Sequence, residues 1–156
     1  MPKRATTADA LVILQLYDLR RESEMRKART WWFGSFWPLN ADDFMKVMNA
    51  VGTPENAWLR QVAGYWDMAA AIAVQGAVNQ ELFLVPSFSG EMFTVFAKVR
   101  PFLGELRKKI GNPGLLANIE TLINSSKKGR EYLKQVEVRL AARRRHMMET
   151  AAAKAS

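Results

Sequence analysis

Thr53-Pro54-Glu55 starts a helix at a fixed point, and the residues that follow leave few folds open. Threonine can cap a helix, and proline at its first position loses no hydrogen bond, because that N–H has no partner within the helix. From Pro54 the helical pattern continues to about Gly76. Its second half, Met68-Ala69-Ala70-Ala71-Ile72-Ala73-Val74, is apolar on all sides. A helix of that kind must be surrounded by other helices. The apolar stretch is far below the ~20 residues needed to span a bilayer, so protein, not lipid, is the expected surrounding. Ala69, Ala73 and Gly76 are small enough to let a neighbouring backbone come close.

The rest of the chain reads as that surrounding. Thr6 or Thr7 caps a first helix with Asp9 in its opening turn, where a carboxylate suits the helix dipole. The spacing predicts that it runs from Ala8 to about Trp32, with Leu11, Leu14, Met25, Ala28 and Trp32 on one face. Gly34, Trp37 and Pro38 end it. Asn40 caps a short helix that closes at Gly52, and Asn79 caps another over Gln80 to Leu84, stopped by Pro86. Ser87 or Ser89 begins a long helix to Ile110, interrupted near Arg100 because Pro101 has no backbone donor. In the turn Gly111-Asn112-Pro113-Gly114, Asn112 is expected to cap the helix of Leu115, Ile119, Leu122 and Ile123. A last helix starts at Asn124-Ser125-Ser126 and loses its apolar face after Leu140. No segment alternates as a strand would. The expectation is an all-α, single-domain helical bundle of about five major helices plus two short ones over residues 1–142. A basic, alanine-rich C-terminal tail follows, 143–156.

Several chemistries drop out on composition. A chain of 156 residues suits one domain. It has no cysteine, and its one histidine, His146, lies in an arginine-rich stretch near the end. Disulfide frameworks, thiolate metal sites and cysteine nucleophiles are excluded, and a serine triad lacks a well-placed base. No Glu-x-x-His pair and no phosphate-cradling glycine loop occurs. Neither catalysis nor a cofactor or metal is therefore expected. Lys3 and Arg4 precede a short apolar run, Ala10 to Leu14, without a cleavage site, so the expected location is cytoplasmic.

Three groups of residues remain as site candidates. Asp18 and Arg21 interrupt the apolar seam of the first helix, and Arg60 and Asp67 point the same way on the central one. Unpaired charges in a core cost several kcal/mol, so Arg20 or Arg21 is expected on Asp67, and Arg60 on Asp18. That network is read first as a device fixing helix register, and second as an anion pocket. Trp31, Trp32, Phe33, Phe36 and Trp37 form an aromatic cluster too dense for a single core face. Self-packing is the plainer account, and a contact patch the other. Lys127, Lys128, Arg130, Lys134, Arg139, Arg143, Arg144 and Arg145 make the last helix basic. Residues 97–156 carry fourteen basic and five acidic side chains out of a chain total of +8. A solvated face is the plainer reading, and non-specific phosphate binding the other.

Leu16-Tyr17-Asp18-Leu19-Arg20-Arg21-Glu22, with Asn56-Ala57-Trp58-Leu59-Arg60 and Glu81-Leu82-Phe83, resembles a family of small bacterial helical proteins of unknown function with a Leu-Tyr-x-Leu-Arg-Arg helix motif. The likeness covers roughly residues 10 to 110 and implies an all-α domain without an established activity. The functional expectation is a non-enzymatic protein acting through protein–protein contacts, as a homo-oligomer or a small subunit. Non-specific nucleic-acid binding through the basic helix is the first alternative, and small-anion binding by buried arginines the second.

Overall fold

The computed structural model describes residues 3–156. Its α-helices are α1 (Thr7–Leu19), α2 (Ser23–Gly34), α3 (Ala41–Asn49), α4 (Pro54–Val74), α5 (Gln80–Phe83), α6 (Pro86–Val99), α7 (Leu103–Ile110), α8 (Ala117–Asn124) and α9 (Lys127–Ala155). A 3-10 turn, Arg100–Phe102, joins α6 to α7. No strand occurs among the described residues. The fold is all-α.

The central helix starts where its signals place it. Thr53 Oγ1 accepts from the Asn56 amide at 3.3 Å, and Pro54 opens the first turn. α4 packs chiefly against α2 and α8, with α3 alongside, and Leu59, Val62, Trp66, Ala69, Ala70 and Ala73 are all buried. A second contact layer joins α6 and α8 to α9, where Phe93 meets Tyr132 edge to face at 4.7 Å between centroids. Fully buried side chains such as Trp32, Phe44 and Phe93 each contribute about 1.5–3 kcal/mol of burial free energy.

The expected helix from Ala8 to Trp32 is instead two. Arg21 N–H donates to Asp18 O at 2.9 Å and Arg20 N–H to Tyr17 O at 3.2 Å, which tightens and ends α1. Glu22 then caps α2 by accepting from the Met25 amide at 2.9 Å. The amides of Glu24 and Met25 hold its carboxyl below the ordinary value. This corner shifts the helical phase. Met25, Ala28 and Trp32 reach the core as expected, whereas Leu11 and Leu14 face outward, and α1 buries Ile13 and Leu16.

The starts of α6 and α8 also differ from the expectation. α6 begins at Pro86, not at Ser87 or Ser89, because proline again fits the first position. Asn112 does not cap α8: its Oδ1 accepts from Gly114 N–H inside the turn at 2.9 Å. α8 begins after Leu116, which adopts a left-handed φ of 55°, and its cap comes from Asp67 on α4. Ser126 caps α9, and Gly129 lets that helix start close over the end of α8, since a Cβ there would stand 2.5 Å from Ile123 O. α9 then continues without a break past residue 143 to Ala155.

Candidate functional site

The outer face of α1 is the clearest apolar surface. Leu11, Leu14 and Leu19 are 57, 59 and 55 % exposed on a helix whose opposite face is packed down. α1 is held by the Tyr65 hydroxyl donating to Leu16 O and by the Asn79 amide donating to Asp9 Oδ1 at 2.7 Å. Thr6 completes a capping box with Asp9, and its side-chain bond is the main reason the Asp9 carboxyl lies below its ordinary value. The helix is therefore anchored on one side and bare on the other.

The anticipated pairing of the charged residues does not occur, because the α1–α2 corner turns them apart. Arg20 is buried and lies 3.5 Å from Glu91 of α6, with its guanidinium over Tyr17 and Trp66. Arg29 takes the same carboxylate, Nη2 to Oε1 at 2.5 Å and Nε to Oε2 at 3.0 Å, and donates to Arg20 O at 3.2 Å. That bond to Glu91 raises the Arg29 pKa. Arg21 and Asp18 are exposed and face each other loosely at 3.8 Å. Asp67 receives Asn118 N–H at 3.1 Å, Ile119 N–H at 3.2 Å and Asn118 Nδ2 at 2.9 Å, so its carboxylate completes the N-terminus of α8. Arg60 donates to Asn56 Oδ1 on its own helix, while Asp18, its expected partner, faces Arg21.

The aromatic cluster is largely self-packed. Trp32 and Phe36 are buried, Trp31 stacks on Phe36 at 4.6 Å, and Trp31, Phe33 and Trp37 are half-buried. Its partner was missed by sequence reasoning: Lys98, fully buried on α6. The Lys98 ammonium donates to Trp32 O at 2.5 Å and Phe36 O at 2.8 Å, beyond the end of α2, and stands 3.9 Å from the centre of the Trp37 ring. Carbonyls at a helix C-terminus and the face of an indole both attract a cation. Burial first, then the charges of Arg143 and Arg144, push its pKa down to about 7. The readable signal was a lysine inside the uniformly apolar run Val95-Phe96-Ala97-Lys98-Val99.

Of the basic candidates on α9, Arg143 and Arg144 reach back to the Trp37 ring, and Arg144 donates to Pro38 O at 3.0 Å. Arg139 lies over Tyr132, Arg130 donates to Asn124 O, and Lys127 faces Glu131 at 3.7 Å. Lys128, Lys134 and Arg145 are exposed. Among the described residues no group of His, Asp or Glu is placed to hold a metal ion, and no helix is long and apolar enough to cross a membrane.

A groove of about 230 Å³ runs between α3, α4 and the turn before α8. Phe44, Met48, Leu59, Leu115 and Leu116 give it an apolar wall, with Arg60, Gly64 and Asp67 of α4 along its floor. A family model described as a domain of unknown function, DUF4760, matches residues 5–126. The chain belongs to that family. No curated protein and no solved structure matches the chain. The DUF4760 match takes in α1 to α8, the groove and the α1–α2 corner, and it stops at Ser126, the residue that caps α9.

Proposed function

We propose that this protein acts through protein–protein contacts rather than catalysis, and that the outer face of α1 joins it to a second copy. The observation that carries the reading is the exposed leucines of α1, Leu11 and Leu14 one turn apart with Leu19 further round the helix, on an element whose other side is fixed. Charge favours an antiparallel pairing of two α1 helices. Asp18 is exposed at the C-terminal end of α1, where the helix dipole disfavours a carboxylate. In an antiparallel pair centred near Leu11, it moves to the N-terminal end of the other copy, beside Arg4. Of the polar residues expected in a buried network, Asp67 and Arg20 hold elements of the fold together. A bacterial, cytoplasmic setting belongs to the same proposal. Size-exclusion chromatography with light scattering tests it. A concentration-dependent dimer is expected, and Leu14→Glu, at an exposed site, should leave a monomer with unchanged helicity. A wild-type protein that stays strictly monomeric up to about 0.5 mM would overturn it.

A second reading is non-specific binding of nucleic acid through α9, where Lys127, Arg130, Lys134 and Arg145 are exposed on a basic helix. Such binding should be lost in high salt as counterions compete. A preparation free of material absorbing at 260 nm, with no retardation of a DNA duplex at low salt, would set it aside.

A further inference from the structure

The groove on α4 combines three features that simple packing does not require. Arg60 is exposed, yet its guanidinium is held in place by a buried amide. Asn56 is 1 % exposed, and its Nδ2 donates to Val47 O at 3.0 Å and Met48 O at 2.7 Å, so its Oδ1 is fixed toward Arg60. The end of α3 thus orients a cation at the rim of an apolar groove. Next, Gly64 sits mid-helix in α4, where glycine is unfavourable by about 1 kcal/mol relative to alanine. Nothing lies within 4 Å of where its Cβ would stand, so no close packing explains the absence of a side chain. That missing Cβ keeps the groove floor open. Finally, Leu116 on the groove wall is buried in a left-handed conformation, the one non-glycine residue with positive φ among those described. Strain of this kind tends to be held at binding sites.

We propose that this groove binds a small apolar monocarboxylate. The Arg60 guanidinium takes the carboxylate through its planar fork, and the hydrocarbon part lies over Gly64 against Phe44, Leu59 and Leu116. The polarity of the groove sets the orientation. At the Asp67 end a second carboxylate, already engaged by three donors of α8, repels an anionic head. A single guanidinium suits one negative charge better than a phosphate dianion, which needs more donors. The volume of about 230 Å³ accommodates one ring with a short side arm. A 150 Å³ cavity already holds benzene.

Phenylacetate is the probe. Titrated into the full chain labelled with 15N, it should shift the amides of Gly64, Leu115 and Leu116 with a dissociation constant on the order of 1 mM or tighter. Arg60→Met should weaken binding by about tenfold or more, as loss of a bidentate ion pair implies. Gly64→Leu should abolish it by filling the floor, and both residues are exposed enough for the fold to persist, which circular dichroism checks. Neutral phenylacetamide should bind at least about tenfold more weakly than phenylacetate. The proposal is overturned if no amide moves at about 10 mM phenylacetate, or if the shifts map to α9. It is also overturned if inorganic phosphate or phenylacetamide matches phenylacetate, or if Arg60→Met binds as well as the wild type.

Discussion

Raising the pH from about 7 to about 9.5 should strengthen this fold, and the reason is Lys98. Its pKa falls from 10.5 in the unfolded chain to about 7 in the buried site. Between those values the unfolded chain binds a proton that the folded chain does not, so unfolding free energy rises with pH. The slope is at most about 1.4 kcal/mol per pH unit, which gives about 3 kcal/mol over the window. Tyr65 works in the opposite sense, since burial pushes its phenol from 10.0 up to about 12 and costs stability as pH climbs past 10. Stopping near pH 9.5 keeps that loss out. Urea unfolding followed by tryptophan fluorescence at several pH values measures the slope. Lys98→Met is the control: it removes the titrating group and leaves Trp32 O and Phe36 O without their donor. The variant should lose most of the pH slope, so its deficit relative to the wild type grows toward high pH. A wild-type stability that is flat or falling across the window would refute the reasoning. So would a Lys98→Met variant with an undiminished rise.

Two helical glycines should respond oppositely to alanine. Gly64→Ala should raise stability by about 1 kcal/mol, because its Cβ meets open space and alanine favours the helix. Gly129→Ala should lower it by about 2 kcal/mol or more, because the new methyl would press on Ile123 O, a backbone atom that cannot easily move. Both are read as shifts in the urea midpoint. Glu91→Ala should cost about 3 kcal/mol by stripping the shared carboxylate from buried Arg20 and from Arg29. A loss below about 1 kcal/mol would mean that the pair contributes no more than a surface ion pair does.

Helix starts with their own caps were legible in the sequence. Thr53-Pro54, Asn40 and Asn79 each cap locally, and the structure places those helices where the residues do. What periodicity could not show was a corner made by tertiary contact. Leu11 to Trp32 reads as one seam only if the helix is continuous, and the break depends on Arg20 turning inward to a glutamate 71 positions later. The cap of α8 was equally remote, since Asp67 lies about fifty residues before the amides it accepts from. Arg60 and Asp67 were picked out for sharing a side of α4, and they do line one groove. Their partners, Asn56 and Asn118, are neutral amides that a search for opposite charges passes over.

Because Lys98 grips main-chain oxygens, residues 32 and 36 can change identity without loosening that grip, so long as the backbone path at the end of α2 is kept. Across related sequences the tie would leave no correlated pair of substitutions, only a solitary basic residue amid greasy neighbours. Methods that infer proximity from co-variation would be blind to this joint between α6 and the end of α2.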